Sequence, residues 1–293
     1  MQDVLIKALG YNKQIRLYGV YNTNILNKIG DKVSYLPSSL DALGRVLSMG
    51  AIMGGTLKGE ETISLIVNGN GPIGKIVVDA DAKGNIRGYV TNPHVHFENN
   101  DGTLSIEKTI GNKGDINVIK DLKLKEPFIG YTPIISGKVA EDFAYYYSVS
   151  EQIPTAISLG VLVGDDSRAI HSGGFMVQLL PNTPDDIIIS LESKLKALPN
   201  MSELLNSNYT ITDILKMIDN DLEILEEIPL NFKCNCSKEK FARGILSLGS
   251  KEILKMINED KEEICVCNFC FNEYHFSTDD LKSLYDEALA NNK

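Results

Sequence analysis

Over the first 180 positions the apolar residues alternate with polar ones, or gather in short β-branched runs. The runs are Gln14–Val20, Thr62–Val67, Lys75–Asp79, Gly88–Val90, Asn117–Lys120, Leu159–Val163 and Phe175–Leu179. Glycine, asparagine, aspartate and proline punctuate them, so each reads as a strand closed by a turn. Two longer patterns have helical spacing instead. Leu43, Val46, Leu47 and Gly50 share one face of Ser39–Met53, and Val139, Phe143, Tyr146 and Tyr147 recur within Lys138–Val149. Strand runs dominate and helices are interspersed, which predicts an α+β core domain over 1–181.

The texture changes after Pro181. Strand signals stop, and Ile211, Ile214, Leu215, Ile218, Leu222 and Leu225 fall on one helical face. Ile187, Ile188, Leu191, Leu195 and Leu198 do the same. This stretch carries ten carboxylates against three lysines between 183 and 227, most of the chain's net charge of -10. The pattern predicts an acidic helical linker over 182–230, able to fold when docked and easy to release because its charges repel.

A third texture occupies 231–293. Ser250 is placed to cap a helix through Ile253, Leu254 and Ile257. Ser277 and Asp280 have capping-box spacing before a last helix through Leu281, Leu284, Tyr285 and Ala288. Between them, Cys265–Phe276 has no helical period and reads as a tight hairpin.

Composition narrows the possible functions. With 43% hydrophobic and 23% charged residues, the 293-residue chain is ordinary for a folded protein, and its core must be aliphatic because tryptophan is absent. A pI near 5.0 makes nucleic acid a poor partner, since phosphate binding needs a cationic footprint. The N-terminus has no basic segment followed by an apolar run, and no apolar stretch is long enough to span a membrane. A cytoplasmic location is expected, where thiols stay reduced and clustered cysteines point to metal or redox chemistry.

Several motifs outside the cysteines have plain readings. Gly69-Asn-Gly71-Pro-Ile-Gly74 fits a dinucleotide fingerprint, but Pro72 and the strand-like IVVDAD that follows make it a β-turn between strands. GGTLKGEE at 54–61 lacks the Gly-Lys-Ser/Thr of a phosphate loop. His94 and His96 have no nearby acidic or cysteine partner, His171 has no companion, and Ser172 lacks the elbow pattern of a hydrolase. No nucleophile, base and orienter set emerges, so an enzyme is not expected.

All five cysteines lie in the last sixty residues. Cys234-Asn-Cys236 and Cys267-Asn-Phe-Cys270 are two short clips separated by thirty residues. Two clips from different loops are how a chain wraps four thiolates round a tetrahedral Zn²⁺. Cys265 can replace Cys267, giving a second C-x-C clip, and His275 follows Cys270 at a zinc-knuckle spacing. Four sulfurs complete a shell without His275, and a two-residue spacer fits a tight turn better. The expected ligands of one zinc ion are therefore Cys234, Cys236, Cys267 and Cys270, with Cys265 as a bystander thiol.

A module of about sixty residues buries little surface, and zinc supplies roughly 10–16 kcal/mol in small zinc domains. That matches the whole stability of a typical domain, about 5–15 kcal/mol. Sulfurs around zinc sit roughly 3.8 Å apart, whereas a disulfide needs about 2.05 Å, so oxidation removes ligands. The sequence thus describes a redox switch joined by an acidic linker to a folded domain. A zinc-module DNA binder is disfavoured by nine basic against eleven acidic residues in 231–293. A thioredoxin-like oxidoreductase is disfavoured because Cys267–Cys270 sits in a hairpin rather than opening a helix.

The chain resembles the redox-regulated 33 kDa chaperonin family along nearly its whole length. DVLIKALGYNKQIRLYGV, SLDALGRVLSMGAIMGGTLKGEE, NGNGPIGKIVVDADAKGNIRGYVTNP, DLKLKEPFIGYTPIISGKVAEDFAYYYSVSEQIPTAISLGVLV and GGFMVQLLP carry the likeness, with CNCSKEKF and CNFC as the cysteine motifs. The resemblance implies an ATP-independent chaperone of the holdase kind. Its reduced form would bind zinc through Cys234, Cys236, Cys267 and Cys270 and be inactive. Its oxidised form would carry Cys234–Cys236 and Cys267–Cys270 disulfides, lose zinc, unfold the linker, form a homodimer and hold unfolded client proteins. Cys265 departs from the family pattern and leaves open a Cys265–Cys267 bond or an intermolecular one.

Overall fold

The structure is a computed structural model that describes residues 1–259 and 261–291. The chain forms two compact units, Met1–Lys233 and Cys234–Lys293. Its class is α+β, as the mixed patterns predict.

The first unit is built on two sheets. Strands β1 (Val4–Gly10) and β2 (Ile15–Tyr21) form a hairpin, followed by helices α1 (Thr23–Gly30) and α2 (Pro37–Gly54). Strands β3 (Thr62–Gly69), β4 (Lys75–Asp81) and β5 (Asn85–Val90) precede the short helix α3 (Ile106–Ile110) and strands β6 (Gly114–Asp121) and β7 (Phe128–Pro133). Helix α4 (Val139–Tyr146) runs into a π-turn, Tyr147–Glu151, before β8 (Thr155–Val163) and β9 (Ala169–Leu179). Helices α5 (Asp185–Ala197), α6 (Met201–Asn206) and α7 (Ile211–Ile218) follow, then strands β10 (Glu223–Pro229) and β11 (Asn231–Phe232). The five-stranded sheet has the order β10-β1-β2-β9-β8, and the six-stranded sheet β11-β5-β4-β3-β6-β7.

Helix α2 is buried nearly all round, and it packs against strands of both sheets. Gly50 on α2 has a steric reason, since a Cβ there would lie 2.4 Å from Cγ1 of Val78. The glycine fingerprint at 69–74 is the β3–β4 turn and opens no helix.

The period-2 geometry of β2 sorts its side chains cleanly. Tyr18 and Val20 face the α2 side, while Ile15, Leu17 and Tyr21 face the other. That second face, with Ile6, Ala8, Phe175 and Val177 from the neighbouring strands, lies under Leu191, Leu204, Leu205, Ile211, Ile214 and Leu215. The helices of the acidic stretch are thus docked on a sheet. The tip of the β1–β2 hairpin meets the end of α7, where the Tyr11 N–H donates to Asp219 Oδ2 at 2.5 Å and Lys194 Nζ to the Ile218 carbonyl at 3.0 Å.

One expectation for this stretch fails. The helical face read through Leu222 and Leu225 ends at Ile218, and Glu223–Pro229 is a strand antiparallel to β1. Asp219 caps the end of the helix, and two carboxylates of β10 meet cations, Glu226 with Lys7 across the ladder at 2.9 Å and Glu223 with Lys13 of the β1–β2 turn at 3.1 Å. The repulsion expected from sequence is partly neutralised by this pairing. A reciprocal Thr210–Asp213 capping box starts α7. Thr210→Ala is expected to cost about 1 kcal/mol, measured as lost hydrogen-exchange protection in α7.

The second unit contains α8 (Lys238–Ser247), α9 (Ser250–Asn258), the β12 (Glu263–Val266) and β13 (Glu273–Phe276) hairpin, and α10 (Thr278–Asn291). Its buried apolar cluster is small: Ile245, Ile253, Phe276, Leu281 and Ala288. The capping box before α10 is present, with the Asp280 N–H donating to Ser277 Oγ at 3.2 Å and the Ser277 N–H to Asp280 Oδ2 at 3.0 Å. For α9 the N-cap is Gly249, at φ +83°, and not Ser250, which is the first helical residue.

Candidate metal centre

The two cysteine clips come from different parts of the second unit. Cys234 and Cys236 lie on the non-regular segment that enters α8. Ser237 ends that segment by accepting the N–H of Lys240 and capping the helix. Cys267 and Cys270 occupy the turn between β12 and β13. The Cys267 N–H donates to the Asn272 carbonyl at 3.0 Å, and the Phe271 N–H to the Cys267 carbonyl at 2.8 Å. Phe271 closes the turn in the left-handed region, at φ +60°.

The turn points both of its sulfurs at the first clip. The Sγ atoms of Cys234 and Cys267 are 3.7 Å apart, and those of Cys236 and Cys270 are 3.3 Å apart. All four sulfurs lie within 4.8 Å of one another. Sulfurs bound at about 2.3 Å to one tetrahedral ion are spaced by roughly 3.8 Å, so the donor set fits such an ion. None of the five cysteines is in a disulfide; Cys267 and Cys270 are buried and the other three half-buried.

The four thiols behave electrostatically as a shared proton set. Burial raises the Cys236 thiol, but hydrogen bonds from Tyr274, Cys270, Cys234 and Cys267 outweigh it and bring its pKa down to about 7. Burial, opposed by the Asn272 backbone N–H and reinforced by the sulfurs of Cys236, Cys234 and Cys267, pushes Cys270 up to about 12. Burial also raises Cys267. One negative charge is stabilised on Cys236 and a second is opposed, so a full set of thiolates calls for a cation.

The remaining predicted candidates fall outside the cluster. Cys265 lies on β12 opposite Tyr274, packs against the apolar core of the unit, and is raised by burial and by Glu263. His275 faces Glu262 at 3.1 Å and Glu273 at 3.7 Å. His96, expected from sequence to have no acidic partner, pairs with Glu98 two residues on at 3.0 Å. Among the described residues, the four cysteines are the one histidine, cysteine or carboxylate group spaced to hold a metal ion.

A family model described as Hsp33 protein matches residues 3–277. The chain belongs to the Hsp33 family. Its Hsp33 relatives include the 33 kDa chaperonin of Oceanobacillus iheyensis, 44% identical over 287 residues, covering 97% of this chain and 99% of that one. The 33 kDa chaperonin of Enterococcus faecalis is 43% identical over 296 residues, covering 100% and 99%. The crystal structure of the 33 kDa chaperonin (heat shock protein 33 homolog) from Thermotoga maritima matches with a TM-score of 0.89 at 31% identity, covering 99% of this chain and 100% of that one. The Hsp33 fold therefore extends over both units.

Sequence reasoning missed one residue of the centre. Tyr274 donates its hydroxyl to Cys236 Sγ at 3.1 Å. A lone tyrosine in a strand has no spacing signal, and only the β12–β13 pairing places it.

Proposed function

We propose that this chain is an ATP-independent chaperone of the holdase kind, inactive when reduced and zinc-bound and active when oxidised. The observation that carries the reading is the set of four sulfurs within 4.8 Å of one another in a unit with a small apolar core. Membership of a family whose relatives bear the name chaperonin supports the chaperone part.

Cys234, Cys236, Cys267 and Cys270 are the ligands of one zinc ion in the reduced form. Zinc supplies the positive charge that lets four thiolates coexist at this spacing. Cys267 and Cys270 are fixed by the turn of the hairpin, and Cys234 and Cys236 by the entry to α8. An oxidant such as hydrogen peroxide takes two electrons from each clip. Two thiolates become one disulfide, and the peroxide leaves as two waters after gaining two protons. The bonds formed are Cys234–Cys236 and Cys267–Cys270, within each clip. Sulfurs drawn from roughly 3.8 Å to about 2.05 Å no longer point at a common centre.

The second unit then keeps only its small apolar core and unfolds. Helices α5–α7 and β10, which precede it in the chain with only β11 between, form the releasable linker. Their undocking uncovers the sheet face around Ile6, Leu17, Phe175 and Val177. Exposed apolar surface of this kind binds unfolded client proteins and a second copy of the chain. No catalytic site is part of this account, and the protein works in the cytoplasm, without nucleic acid or membrane. No helix among the described residues is long and apolar enough to cross a membrane.

The test is light scattering from a heat-denatured client without ATP. The peroxide-treated protein is expected to suppress aggregation and the reduced zinc-loaded protein to leave it unchanged. Equal activity of the two forms would reduce the zinc centre to a structural staple.

A further inference from the structure

Besides the sulfurs themselves, a tyrosine side chain reaches between the two cysteine clips. Tyr274 stands on β13, two residues after Asn272, whose carbonyl accepts the Cys267 N–H at 3.0 Å. It therefore belongs to the hairpin that carries Cys267 and Cys270. Its hydroxyl is 3.1 Å from Sγ of Cys236, which belongs to the other clip. The ring is held from the side by Phe241, in the first turns of α8, with centroids 5.0 Å apart and planes inclined by 30°. A hairpin residue thus aims a hydroxyl at a sulfur of the opposite clip, and its ring is braced while it does so.

A sulfur that accepts a hydrogen bond has less lone-pair density free for an electrophile and is tied to the direction of its donor. To bond with Cys234, Cys236 must bring its sulfur to about 2.05 Å from its partner's, and a sulfur held 3.1 Å from the Tyr274 hydroxyl is less free to make that move. The donor opposes both departures of Cys236, from a metal and into a disulfide.

We propose that Tyr274 is a positioning residue for Cys236, holding its sulfur in the four-sulfur set and slowing its loss to an oxidant. The inference deepens the assignment of the four cysteines as a metal site and rests on it. Tyr274 is neither a ligand nor an oxidised group. It acts through Cys236 and sets how readily the centre opens.

The probe is cobalt(II) in the full-length reduced chain, read by absorption, together with zinc loss to a chromophoric chelator with and without peroxide. Tyr274→Phe keeps the ring against Phe241 and removes the hydroxyl alone. The expected result is a shift of the sulfur-to-cobalt charge-transfer band to lower energy, with metal affinity about tenfold weaker, at the low end for outer-shell partners. Zinc loss under peroxide is expected to be several-fold faster, with unchanged helical content in the metal-loaded form. Phe241→Leu leaves the hydroxyl in place and serves as the packing control. If Phe241→Leu weakens the centre and Tyr274→Phe leaves band, affinity and rate unchanged, the tyrosine is only a packing residue and the proposal fails. If the wild-type chain gives no tetrahedral thiolate spectrum with cobalt, the metal-site assignment itself fails and takes this inference with it. A normal wild-type spectrum with an unchanged Tyr274→Phe variant sinks only the inference.

Discussion

Cys270→Ser is expected to remove zinc from the chain and unfold the unit that follows Lys233. A hydroxyl is a far poorer zinc donor than a thiolate, and the three remaining sulfurs leave the tetrahedron open. The consequence is large because the unit has little else to hold it. Its buried apolar cluster consists of Ile245, Ile253, Phe276, Leu281 and Ala288. A core of that size contributes a few kcal/mol at most, against roughly 10–16 kcal/mol from a structural zinc site. Zinc content measured after dialysis should fall from about one ion per chain to near zero. Amide signals of α8–α10 should collapse toward random-coil positions, while those of the first unit stay dispersed. Stripping the wild type with a strong chelator should reproduce the spectrum. A Cys270→Ser variant that keeps native dispersion in α10 would show that the apolar core alone suffices.

The second large effect concerns the helices docked on the five-stranded sheet. Leu215 is fully buried among Ile211, Ile214 and Leu205, and it lies over Gly19 of β2, where a Cβ would sit 3.0 Å from Leu215 Cδ1. Truncating such a leucine to alanine costs about 2–5 kcal/mol. If that cost falls on docking, the released fraction rises about thirty-fold to several thousand-fold, at tenfold per 1.4 kcal/mol. Leu215→Ala should therefore suppress client aggregation while still reduced and zinc-loaded. Ile189 on α5, 68% exposed, is the control, and Ile189→Ala should change nothing. Hydrogen exchange of α6 and α7 separates release of the helices from unfolding of the whole unit. A Leu215→Ala protein with fast exchange there and no gain in activity would disconnect these helices from regulation.

How far the sequence led depended on how each element buries its side chains. β2, β3, β4, β5, β6, β8 and β9 are legible because alternation or β-branched runs survive wherever a sheet is buried in an ordered way. β1 escaped because Leu5, Ile6 and Ala8 are all buried, on two different faces, and the run VLIKALG lacks a clean period. β10 escaped because an edge strand rich in glutamate has no intrinsic strand preference. Its conformation is imposed by pairing with β1, with Lys7 across the ladder and Lys13 from the β1–β2 turn meeting its glutamates. Leu222 and Leu225 continue the period of α7 by coincidence, and Asp219, whose extended backbone caps the helix, shows in the sequence only as charge.

The four-cysteine cluster was legible in full, because clip spacing is a local property that survives ignorance of the fold. Tyr274 was not, since its role depends on strand register and on a ring braced by a helix far away in sequence.

The most direct test of the central claim follows zinc and activity in one sample. Reduced protein is titrated with peroxide while a chromophoric chelator reports zinc release and light scattering reports protection of a heat-denatured client. The account predicts that protection is absent before oxidation and rises in step with, or after, the loss of zinc, and that it is reversed when thiol reductant and zinc are restored. Full protection by the reduced, zinc-loaded chain, or zinc loss without any protection, would contradict it.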